Sequence, residues 1–116
     1  MSGLASLVTS VHDDLLVASV TGEIDLSNAE ELESRLCSAA GRREGLVIDL
    51  TQVTFLDSAG VRLLDHLVAA REPDPRVRVV VGASGAVPFT LRLCGFRPEL
   101  LAASREAALA ELTGRA

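Results

Sequence analysis

Apolar positions along the chain follow two rhythms. Residues 4–11 and 15–21 are runs rich in β-formers, separated by His12, Asp13 and Asp14. That pattern predicts an antiparallel hairpin, with Gly22 closing its second strand. Ser27, with Glu30 three residues on, reads as a capping box that opens a helix over about 28–40. Ala29, Leu32, Leu36, Cys37 and Ala40 form its apolar face, and Gly41 is its expected stop. Gly45 to Leu50 is nearly continuous apolar sequence, as in a strand covered on both faces. A second helix follows Asp57 and Ser58. Gly60, Leu64, Leu67, Val68 and Arg71 lie on one stripe of it, and Arg62, Asp65 and His66 face the other way. Pro73 and Pro75 bar its continuation. Val77 to Val81 is another β-branched strand. Ser84 is the expected cap of a short helix carrying Val87, Leu91 and Cys94, with Gly95 at its end. A last helix is expected over about 104–113.

The order is therefore ββαβαβα(β)α. Strands alternating with helices imply right-handed crossovers and parallel pairing. The expected fold is α/β: a single-layer mixed β-sheet, opening with the antiparallel hairpin and continuing in parallel βαβ units, with about four helices. One domain covers 4–113, without repeats or linkers.

Composition narrows the function. Hydrophobic residues make up 48% and charged residues 23%, which suits a packed core rather than disorder. Apolar runs such as Leu15 to Ala18 and Val79 to Val81 fall far short of the roughly 20 residues of a membrane span. The first ten residues carry no basic residue, so no cleavable signal peptide is expected and the location is read as cytoplasmic. A net charge of −5 disfavours direct nucleic-acid binding and, without an obvious apolar exposed face, suits a monomer when free. All eleven basic residues are Arg, which excludes a phosphate-loop lysine and Schiff-base chemistry. Cys37 and Cys94 are far apart and each inside an apolar segment, so they read as buried free thiols, with no disulfide framework and no metal site.

Candidate chemistry is sparse. Ser84 lacks the spacing of a nucleophile elbow, because a glycine follows it directly. His12 sits in a turn. His66 lies about 12 Å along its helix from Ser58, too far for a base–nucleophile pair. Enzymatic activity is therefore not expected, and no cofactor is implied. Asp25 and Asp57 each follow a strand and precede a helix. In a parallel sheet such loops gather at one edge, the usual place for function. Two acids and two hydroxyls, Ser27 and Ser58, would share that rim. Helix capping is the structural alternative for all four, and for Ser58 capping and exposure are compatible.

The segment Val47 to Val61, with Leu56-Asp57-Ser58-Ala59-Gly60 at its end, resembles the strand, loop and Asp-Ser-x-Gly motif of STAS domains, the anti-sigma factor antagonist family. Gly22-Glu23-Ile24-Asp25 is similar to that family's Gly-Glu-Leu-Asp element. Val81 to Ser84 and Leu93 to Phe96 are similar to its third strand–helix unit. The resemblance covers about 4–113. It implies that Ser58 is phosphorylated by an anti-sigma factor that is also a serine kinase, and restored by a phosphatase acting on phospho-Ser58. It implies partner binding through Asp25, Asn28, Asp57, Ser58, Ala59, Gly60, Val61 and Arg62. Asn28 stands where Thr is usual, and Arg62 where a small residue is common. Two other jobs are compatible with parts of this pattern. One is a small STAS subunit of a membrane lipid-transport ATPase complex. The other is a hydrolase using Ser58, which lacks a positioned base.

Overall fold

The computed structural model describes residues 5–114. Leu4, where the first strand and the domain were expected to begin, lies outside the described residues. Five strands form one sheet in the order β1-β2-β3-β4-β5: β1 (Ser6–His12), β2 (Leu15–Ile24), β3 (Gly45–Leu56), β4 (Val77–Val80) and β5 (Leu101–Ala102). β1 and β2 are antiparallel, and the remaining neighbours are parallel. The helices are α1 (Ala29–Ala40), α2 (Ser58–Ala69), α3 (Ala86–Leu93) and α4 (Arg105–Thr113), with a 3₁₀ turn at Pro98–Leu100.

The hairpin turns on Asp13 and Asp14, both with positive φ (51° and 62°), the backbone of a two-residue primed turn whose twist matches the strands. Gly22 does not end β2, contrary to its reading as a terminator. It takes a φ of 99° inside the strand, and the register slips from Gly22↔Val53 to Glu23↔Phe55. Only glycine accepts that conformation cheaply, so the residue marks a bulge rather than a stop. The pairing then continues to Ile24↔Leu56, and β3 likewise runs on past Leu50 to Leu56. This extension carries the two acidic loops to the same height above the sheet.

Two packed layers explain the alternation in β2 and β3. Leu16, Ala18, Val20, Leu46, Ile48 and Leu50 point toward one face, where they meet buried residues of α1, α2 and α3. Leu15, Val17, Val47 and Val80 point to the other, against Ala108 and Leu112 of α4.

Three local readings are corrected. Ser27 does not cap α1. The N-cap is Asn28, and the Ser27 hydroxyl donates to Asp25 instead, a nearer acceptor two residues back. Ser84 does not cap α3, because Gly85 with φ 112° starts that helix one residue later. Cys37 and Cys94 are free thiols but exposed. Cys37 lies one position past the buried Leu36 stripe, and Cys94 is the residue on which α3 ends. Ser104 does cap α4, accepting the Ala107 amide at 3.0 Å.

Candidate functional site

The ends of β2 and β3 are paired, so the loops that leave them start side by side. The Asp57 amide donates to the Ile24 carbonyl at 3.3 Å, tying the second loop to the root of the first. Asp25 and Asp57 therefore stand on one rim, as expected.

The first loop is closed by hydrogen bonds. Asp25 Oδ1 accepts the Ser27 amide at 3.0 Å and also the Ser27 hydroxyl. The Asp25 carbonyl accepts the amides of Asn28 and Ala29 at 3.1 and 2.9 Å. Asn28 is only 6% exposed. Its Oδ1 accepts the Asp25 amide at 3.0 Å, and its Nδ2 donates to the Glu23 carbonyl at 2.8 Å. A buried side-chain amide bonded at both ends fixes the loop that surrounds it. Between Asp25 and Ser27, Leu26 is left 77% exposed.

The second loop is built differently. Asp57, not Ser58, is the N-cap of α2: its Oδ1 accepts the amides of Ala59 at 2.9 Å and Gly60 at 3.2 Å. Ser58 is the first residue of the helix, exposed, and its hydroxyl has no partner among the described residues. Gly60 is required by close packing. A Cβ there would overlap Leu56 Cδ1 and stand 3.2 Å from Ile24 Cγ2. That contact seats the start of α2 directly on the ends of β2 and β3.

Of the residues expected to meet a partner, Asp25 and Asp57 are half-buried, while Ser58 and Arg62 are exposed. Asn28, Ala59, Gly60 and Val61 are buried and pack beneath the rim rather than cover it. Leu26 adds an exposed apolar group that periodicity did not single out, since the helical stripe begins only at Ala29. Below the rim, a groove of about 640 Å³ runs between α1 and α2. Leu26, Glu30, Glu31, Glu33, Arg62 and His66 contribute to its walls. His66 Nδ1 lies 3.0 Å from Glu33 Oε1, so the histidine bridges the two helices rather than serving Ser58.

A third acid was missed because it reads as part of an apolar run. Asp49 of β3 is 5% exposed on the α4 side of the sheet. It accepts the Thr51 amide at 2.9 Å, the Thr51 hydroxyl at 2.6 Å and Arg105 Nε at 2.5 Å. Burial pushes its carboxyl up, but the Thr51 and Arg105 hydrogen bonds outweigh burial and hold it below its ordinary value. Its signal in the sequence was the Asp-x-Thr spacing. No group of three or more His, Cys, Asp or Glu among the described residues is placed to hold a metal ion. No helix among them is long and apolar enough to cross a membrane.

The family model that matches this chain is the STAS domain, over residues 6–108. The anti-sigma-F factor antagonist RsfB of Mycobacterium tuberculosis is 40% identical over 67 residues, 55% of each chain. This chain thus matches about half the length of that relative. A crystal structure of an anti-sigma factor antagonist from Mycobacterium paratuberculosis superposes with a TM-score of 0.86 at 29% identity, over 94% of both chains. The unphosphorylated form of the antagonist SpoIIAA superposes at 0.77 with 20% identity, over 96% of this chain and 99% of its own, a likeness of fold.

Proposed function

The chain belongs to the STAS domain family, and from that premise we propose that it is an anti-sigma factor antagonist switched by phosphorylation of Ser58. Unmodified, it binds an anti-sigma factor that is also a serine kinase, and so frees a sigma factor for transcription. Phosphorylated, it lets go, and a phosphatase acting on phospho-Ser58 restores it. In this role the chain is substrate and docking module rather than catalyst, and needs no cofactor or metal. The names of its relatives, RsfB and the M. paratuberculosis protein, support the partner class.

The observation that carries the reading is the free Ser58 hydroxyl at the first position of α2, with capping already performed by Asp57. The hydroxyl can enter a kinase site without breaking a bond of the fold. A phosphate there adds about −1.5 to −2 charges next to Asp57 and across the rim from Asp25. The positive end of the α2 dipole tolerates that charge. The Ala59 and Gly60 amides are already engaged by Asp57, so the phosphate stays on the docking surface. Partner contact is assigned to Asp25, Asp57, Ser58 and Arg62, with Asn28, Ala59, Gly60 and Val61 holding them in place.

The test is incubation of the purified chain with its cognate anti-sigma kinase and ATP, followed by site mapping. Phosphate at Ser58 and release of the kinase are expected. Incorporation at Ser27 or Ser84 with Ser58 untouched would overturn the assignment.

A further inference from the structure

Arg62 follows Ser58 by four residues on α2, which is one helical turn, and both are exposed. Residues at that spacing are neighbours on a helix surface, with Cβ atoms about 5–6 Å apart, and an acid placed N-terminal to a base is the favourable order. Arg62 has no hydrogen-bond or ion-pair partner among the described residues. It projects into the α1–α2 groove, where Glu33 is already held by His66 at 3.0 Å. Glu30 and Glu31 also line that groove, and neither pairs with Arg62. The unmodified protein therefore offers an uncommitted guanidinium beside a free hydroxyl.

We propose that Arg62 is the internal counter-ion of phosphorylated Ser58, and that one modification alters the docking surface in two places. The proposal rests on the reading that Ser58 is the phosphorylated residue. Before modification, the Arg62 guanidinium is available to a carboxylate of the partner. After it, the phosphate dianion on the same helix attracts the guanidinium more strongly than any single carboxylate across the open groove. A planar fork of donors suits a phosphate well. Arg62 turns toward the helix N-terminus, and the groove keeps Glu30 and Glu31 but loses its unpaired cation. A partner that met Arg62 with an acid then faces acids alone.

The test uses the full chain with phosphoserine installed at position 58 by genetic encoding, so that no kinase is needed. The phosphate's second ionisation is followed by ³¹P NMR at low salt in the parent, Arg62→Gln and Arg62→Lys. The other charges near it, Asp25, Asp57, Asp65, Glu30, Glu31 and the Glu33–His66 pair, are common to all three. The parent is expected to titrate about 0.15–0.4 pH unit below Arg62→Gln, with Arg62→Lys between them. In the parent alone, the Arg62 Nε–H resonance is expected to move with the same midpoint as the phosphorus signal. Superimposable titrations of the parent and Arg62→Gln, or an Arg62 resonance indifferent to phosphate ionisation, would overturn the proposal. These readouts do not involve the anti-sigma factor. Failure of the unmodified chain to bind that partner removes the functional reading and leaves the titration standing, whereas a flat titration in a protein that binds and switches removes Arg62 alone.

Discussion

Asp25 and Asp57 sit at equivalent places, yet one loop is closed and the other open. Each follows a strand end, precedes a helix and accepts the amide two residues ahead. In the first loop that residue is Ser27, which gives Asp25 its hydroxyl as well. In the second it is Ala59, which has none, so Asp57 takes the Gly60 amide instead. Asp49 repeats the closed pattern with Thr51. The comparison isolates a simple rule. A hydroxyl two residues after the acid is consumed by it, while Ser58, one residue after, is left to solvent. The same carboxylate habit thus makes one serine structural and the other available.

The largest effect should come from charging the open loop. Ser58→Asp should stay folded, because an acid in the first turn of a helix is favourable. On the proposed reading it should bind the anti-sigma factor more weakly by about 2–5 kcal/mol, since the new charge would join Asp57 on the proposed docking surface. Titration calorimetry against the Ser58→Ala protein measures the difference, and equal affinities would sink the idea. Gly60→Ala attacks the seat of the same loop. Its Cβ would press on Leu56 and Ile24, so a loss of about 1–3 kcal/mol is expected in denaturant unfolding. An unchanged midpoint would show that α2 shifts freely on the sheet.

Capping should separate the two acids next. Asp57→Ala removes acceptors from two helix amides and should cost about 0.5–2 kcal/mol, whereas Asp57→Asn keeps a capping oxygen and should cost little. If Asp57→Asn proves as damaging as alanine, charge rather than capping is what Asp57 supplies. Asp49 gives the closed pattern a pH signature. Its folded carboxyl lies below the ordinary 3.8, so its contribution is complete above that pH and is lost as pH falls through the lower folded value. Arg105→Ala removes one of the hydrogen bonds that outweigh burial. It should make this acid-side loss of stability shallower in urea unfolding measured from pH 5 down to pH 2.

Much of this was legible in the sequence. Period-3.6 stripes located the four α-helices, because each buries one face, while β2, β3 and β4 showed as nearly continuous apolar runs, because the sheet is covered on both sides there. The rim was legible too, since parallel connections must deliver Asp25 and Asp57 to one edge. What escaped were choices between neighbouring hydrogen-bond acceptors. Ser27 had both a capping role and Asp25 within reach, and Ser58 and Asp57 both suit an N-cap; sequence spacing does not rank such options. Gly22 read as a stop because a bulge and a terminus call for the same residue. Cys37 and Cys94, expected to be buried, proved exposed because Cys37 lies one step past its stripe and Cys94 stands where α3 has already ended.

The smallest expected effect is the most discriminating for the comparison. If Asp57 performs all the capping, Ser58→Ala removes a hydroxyl that bonds nothing among the described residues and leaves the helix start intact. Alanine is also a better helix former than serine. Stability should therefore change by no more than about 0.5 kcal/mol, the range of an uninvolved surface position. Ser27→Ala should cost more, because it strips Asp25 of one of its two local bonds and loosens the loop on which Asn28 closes. Thermal unfolding of the two alanine variants side by side, with the parent, tests this ordering. A Ser58→Ala loss equal to or above that of Ser27→Ala would mean that the Ser58 hydroxyl is engaged after all. The open loop would then be as closed as the first, and a kinase would have to break it before it could use it.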